Sequence, residues 1–99
     1  MNPDVEHLYT QLGRAYEMAD EWEKARRAYQ TMLALASETG EARLEVVALN
    51  YLANLAFRQE ANPAGARTLL EEDKRVAEEA GLTEELAETE CNLVDVMVY

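Results

Sequence analysis

Apolar residues recur along this chain at alternating intervals of three and four, the spacing that lines one face of an α-helix. Val5, Leu8, Tyr9, Leu12, Ala15, Tyr16 and Ala19 form the first stripe, which predicts a helix from near Pro3 to just before Asp20. Trp22, Ala25, Ala28, Tyr29, Met32, Leu33 and Leu35 or Ala36 form the second, over about 21–38. A third helix is expected over 41–60, where almost every second residue is apolar, so it should be the most buried of the set. A fourth runs from Pro63 through Ala66, Leu69, Leu70, Val76 and Ala77 to Gly81, and a fifth from Thr83 to the chain end. No stretch alternates with period two, so no strands are expected.

The punctuation agrees with these limits. Asn2-Pro3 and Asn62-Pro63 each read as an N-cap followed by a first-turn proline, and Gly40 and Gly81 stand where a left-handed residue would end a helix. Asp20 and Glu23 have the spacing of a capping box, predicting that Asp20 caps the second helix.

The chain repeats itself. A shift of 40 residues places Leu12-Gly13 on Leu52-Ala53, and a shift of 41 places Ala25 on Ala66, Gly40 on Gly81 and Leu52 on Leu93. One domain over 1–99 is expected, with a first repeat at about 3–40, a second at about 41–81 and a half repeat at 82–99. The unpaired last helix suggests a segment of a longer protein. Gly13 and Ala53 should allow close helix approach, with Ala25 and Ala66 facing them and Tyr9, Leu12, Tyr16 and Tyr29 filling the flanks. Trp22 should close the open end of the first hairpin, where burying most of an indole contributes on the order of 3 kcal/mol.

The segment YTQLGRAYEMADEWEKARRAY, with Tyr9, Leu12, Gly13, Tyr16, Ala25 and Tyr29 in register, resembles a tetratricopeptide repeat. Leu49, Leu52, Ala53, Ala56, Ala66 and Leu70 fill the corresponding places of the second unit in size class only. A period near 40 exceeds that family's usual ~34. It is similar to the longer repeats of kinesin light chains and of large bacterial signal-transducing regulators of the maltose-activator type. The resemblance implies an all-α, right-handed superhelical stack of antiparallel helical hairpins, five helices making two and a half repeats. It also implies an inner wall, lined by the first helix of each pair, that binds a peptide or a helix of a partner protein.

By that resemblance the wall comprises His7, Thr10, Arg14, Glu17 and Met18 from the first unit and Val47, Asn50, Asn54, Phe57 and Arg58 from the second. Glu88, Cys91, Asp95, Val98 and Tyr99 follow from the half repeat. Asn50 and Asn54 are four apart and so share a helix face, where their amides would pair a bound peptide backbone, stand solvated, or bridge neighbouring helices. The family's carboxylate-clamping members have Lys and Asn where this chain has Thr10 and Arg14, so that clamp does not carry over.

Composition narrows the rest. A formal net charge of −11 disfavours direct binding of nucleic acid or anionic lipid, and the runs Glu71-Glu72-Asp73 and Glu84-Glu85, interleaved with Lys74 and Arg75, read as solvated helix faces. A single cysteine, Cys91, excludes an internal disulfide, and no run approaches the ~18 apolar residues of a membrane span, so a cytoplasmic setting is expected. His7 is the only histidine and has no ligand-spaced companions, so no catalytic residue, metal or cofactor is expected. The functional expectation is a non-catalytic protein-interaction module, part of a larger bacterial regulatory protein. The alternative is a structural segment that self-associates as a homodimer through Leu93, Val94, Met97 and Val98 of the last helix.

Overall fold

The stripes fold as five helices: α1 (Pro3–Met18), α2 (Trp22–Thr39), α3 (Ala42–Arg58), α4 (Pro63–Ala80) and α5 (Thr83–Met97). The computed structural model describes residues 3–97, with side chains over 5–94, and contains no strand among them. Each helix packs on its neighbours in sequence, and α3 also meets α5. The molecule measures 33 × 33 × 18 Å. At 8–10 Å between packed helix axes, the short dimension has room for two layers of helices.

The turns repeat along with the helices. Asp20 and Ala61 end the first helix of each pair with left-handed φ values of 60° and 50°, and Gly40 and Gly81 end the second with 69° and 70°. At Asp20 this geometry overturns the capping-box expectation. Asp20 N–H donates to the Glu17 carbonyl at 3.1 Å and Glu21 N–H to the Tyr16 carbonyl at 2.8 Å, the paired bonds of a helix C-terminus. Asp20 thus closes α1 and cannot take the extended backbone of an N-cap. Glu21 holds that place for α2, its side chain bonded by Lys24 Nζ at 3.1 Å and capping no backbone N–H. Asn62 does cap α4, accepting from Gly65 N–H at 3.0 Å.

The main core joins α2 to α3 through Ala25, Tyr29, Met32 and Ala36 against Leu44, Ala48, Leu52 and Leu55. From α1, Val5, Tyr9 and Tyr16 close over it, and Trp22 packs at its edge, partly buried. A second cluster of Ala53, Ala56, Ala66 and Leu70 joins α3 to α4. A third sets Val46 against Val76 and Ala77, with Leu82 and Leu86 beside it. Nine residues of α3 are buried, the most of any helix, as its near-continuous apolar pattern predicts.

Two packing expectations change. Small does not simply face small at Gly13, because a Cβ there would fall inside the ring of Tyr29, which is wholly buried. The glycine makes room for an aromatic. Leu8 and Leu12, placed on the inner stripe of α1 by their spacing, are 60% and 38% exposed. The stripe of α1 is broader than the contact α2 makes with it, and these two leucines lie on the uncovered margin.

Candidate functional site

Tyr29 of α2 joins α1 to α3. Its ring sits over Gly13 of α1 and stacks on Tyr51 of α3, with centroids 5.0 Å apart and planes 20° from parallel. Its hydroxyl donates to the Glu17 carboxylate of α1. Burial, and then the bond to Glu17, push the Tyr29 pKa well above the usual tyrosine range, so the phenol stays a donor. One side chain of α2 thereby fixes the spacing of α1 and α3 and holds Tyr51 at the surface between them.

Two hollows flank Tyr51. One, of about 310 Å³, is lined by Glu6 of α1, by Val46, Val47, Asn50, Tyr51 and Asn54 of α3, and by Glu85 and Glu88 of α5. The other, of about 280 Å³, is lined by Arg14, Glu17 and Met18 of α1 and by Tyr51, Asn54 and Arg58 of α3. Tyr51 and Asn54 belong to both, and no residue of α2 or α4 lines either. Arg43 sets the outer rim, reaching Glu6 at 2.7 Å and Glu85 at 3.3 Å and so tying α3 to α1 and α5.

The expected wall residues divide accordingly. Arg14, Glu17 and Met18 meet Asn54 and Arg58 in one hollow, while Val47, Asn50 and Glu88 meet in the other. His7 is exposed and Thr10 half-buried, with its hydroxyl unpartnered among the described residues, and neither lines either of these two hollows. Phe57 lines neither of these hollows; partly buried, it packs against the Ala53, Ala56, Ala66 and Leu70 cluster of α3 and α4. Cys91 is exposed and lines neither hollow. The side chains of Asp95 and Met97, with Val98 and Tyr99, lie outside the described residues. Leu93 is half-buried against the second cluster, whereas Val94 is 58% exposed.

Asn50 and Asn54 share a helix face but not an environment. Asn54 is exposed and makes no hydrogen bond among the described residues. Asn50 is buried and bridges helices: its amide N–H donates to the Val46 carbonyl at 3.2 Å and to Thr89 Oγ1 at 3.4 Å, and its oxygen accepts from Asn92 at 3.0 Å. Thr89 in turn lies 3.0 Å from Asp73 Oδ1 and 2.9 Å from the Glu85 carbonyl. This polar seam runs through α3, α4 and α5 directly behind the acidic hollow.

Asp73 corrects a second expectation. It belongs to an acidic run that reads as solvated, yet it is wholly buried, with Oδ2 unpartnered and no cation bonded to it. Burial, with the like charge of Glu88 adding to it, raises its pKa to about 7 against the opposing hydrogen bonds from Thr89 and Asn50. The spacing signal was present: Ala66, Leu70, Asp73 and Ala77 continue one stripe at intervals of four, three and four, as do Leu86, Thr89 and Leu93 at three and four.

Among the described residues no helix is long and apolar enough to cross a membrane, and no group of His, Cys, Asp and Glu side chains is arranged to hold a metal ion. No protein-family model, curated protein or solved structure matches this chain.

Proposed function

We propose that the α1–α3–α5 face is a peptide-binding wall and that the protein is a non-catalytic interaction module of tetratricopeptide-like build. The observation that carries this reading is the make-up of the two hollows: α1 and α3 supply residues to both, α5 to one, and α2 and α4 to neither. The first helix of each pair therefore forms one continuous concave surface, with the second helices as its backing. Asn54, exposed at the junction of the hollows, has an amide free to donate to and accept from an extended backbone. The recurrence of left-handed turns at Asp20 and Ala61, and at Gly40 and Gly81, supports a stack of like hairpins. The setting in a larger bacterial regulatory protein rests on the resemblance of these repeats to those of the bacterial regulators.

Selection of peptides from a random display library against the full chain tests this. Selected peptides should shift the amide resonances of Tyr51 and Asn54, and replacing Asn54 and Arg58 together by Ala should weaken them about tenfold or more without changing the melting temperature, since both side chains are exposed. Asn50→Ala is a contrasting variant that should cost about 1–3 kcal/mol of stability, because it leaves buried partners unsatisfied. Peptides that bind through α2 and α4, or a selection that yields none, would remove the proposal.

Self-association is the second reading, favoured by Val94, which is 58% exposed on α5. A monomer by sedimentation equilibrium at high concentration would remove it.

A further inference from the structure

The two hollows carry opposite charge. In the smaller, Arg14 and Arg58 are exposed and join no ion pair among the described residues, while the one carboxylate present, Glu17, is occupied by the Tyr29 hydroxyl. In the larger, among the described residues, Glu6, Glu85 and Glu88 face a single bonded cation, Arg43, which reaches the first two and leaves Glu88 without an ion pair. The seven ion pairs of the described residues include neither Arg14, Arg58 nor Glu88, so these three, with the one carboxylate by which Glu6 and Glu85 outnumber Arg43, are the uncompensated charges of the wall. Between the poles stand the Tyr51 ring and the free Asn54 amide, which contribute shape and backbone pairing but no charge.

From this polarity we infer that the face selects an extended protein segment of mixed charge, with Lys or Arg seated against Glu6, Glu85 and Glu88, and Asp or Glu against Arg14 and Arg58. The spacing follows from α3. Asn50, at the acidic pole, and Arg58, at the basic one, are eight helical residues apart, a rise of about 12 Å, which about four residues of extended chain span. A uniformly basic segment would place like charge on the two arginines, and a uniformly acidic one on the three glutamates; each loses at one pole what it gains at the other. This inference rests on the reading of the face as a peptide-binding wall.

Blocked, fluorescein-labelled peptides test it. Two carry Lys-Lys and Glu-Glu with two serines between, in either order, and two controls of the same length are all-lysine and all-glutamate. Each is titrated by anisotropy onto the full chain at about 0.1 M salt, where charges beyond ~10 Å are screened. One of the mixed peptides should bind about tenfold tighter than either control. Arg58→Glu and Glu88→Lys should each weaken it about threefold or more, in keeping with single exposed pairs. An all-lysine peptide binding as tightly as the mixed ones would overturn the inference, since attraction to the overall charge of −11 would then account for binding. Library peptides that shift Tyr51 and Asn54 but lack the paired charges would overturn it while leaving the peptide wall intact. Failure of every peptide to reach this face would remove both.

Discussion

Replacing Asp73 by Asn should make the protein more stable, and by an amount that depends on pH. In the folded chain the carboxyl has no exposure, one oxygen without a partner, no bonded cation and Glu88 as a like-charged neighbour. Its pKa is raised from 3.8 to about 7. A carboxyl whose folded value lies above its unfolded one holds its proton more tightly in the native state. Its contribution is therefore intact below pH ~4, declines as pH rises, and above pH ~7 has become a full penalty. The gap between 3.8 and about 7 corresponds, at about 1.4 kcal/mol per pH unit, to about 4 kcal/mol, a large fraction of the 5–15 kcal/mol that holds a small domain together. Asn has the shape of the protonated acid and never ionises. Urea titrations of wild type and Asp73→Asn, followed by helical circular dichroism at pH 5, 6, 7 and 8, should show the variant ahead by about 1.5–2 kcal/mol at pH 5. By pH 8 the gap should widen to about 4 kcal/mol, or roughly 15–30 °C in melting temperature. Comparing two chains at each pH cancels the other carboxylates. Parallel stability profiles across this range, or a variant less stable than wild type at pH 8, would refute the reasoning.

Two further outcomes follow from the backbone and the core. Gly13→Ala should destabilise by about 1–3 kcal/mol despite alanine's better helix propensity, because its Cβ would enter the Tyr29 ring, and Tyr29→Leu in the same chain should recover part of that loss in a double-mutant cycle of thermal melts. Ala61→Gly should raise stability by about 0.5–1 kcal/mol, since Ala61 holds a left-handed φ of 50° that costs an L-residue and costs glycine nothing; an unchanged or lower denaturation midpoint would contradict the strained turn.

What could be read from the sequence, and what could not, follows the range of the interactions concerned. Helix limits came within a few residues, as at α3, expected over 41–60 and found at Ala42–Arg58, because helical spacing, caps and Gly40 and Gly81 act over one or two turns. Asp20 shows where local reading stops. Its spacing to Glu23 satisfied a cap, but the end of α1 claimed its backbone first, and two competing local motifs cannot be ranked by pattern alone.

The candidate wall divides along the same line. That Asn50, Asn54 and Arg58 share a face of one helix is a consequence of its 3.6-residue turn, and so was legible. That Asn50 is consumed by Thr89 and Asn92, 39 and 42 residues away, while Asn54 stays free, is decided by where α5 packs. Tyr51 gained its place between the hollows only through the Tyr29 stack, and Phe57 packs toward α4.

By itself the sequence determined the number of helices, their order, their forty-residue recurrence and which face of each is apolar, since backbone hydrogen bonding and side-chain periodicity are properties of neighbouring residues. Only the tertiary structure decided that an acidic run hides a buried carboxyl at Asp73, that Gly13 answers to Tyr29, and that two unpaired arginines stand at one pole of a face and three glutamates sharing a single arginine at the other. Burial and charge pairing depend on what the rest of the chain brings alongside a residue, and the spacing along one helix does not carry that information.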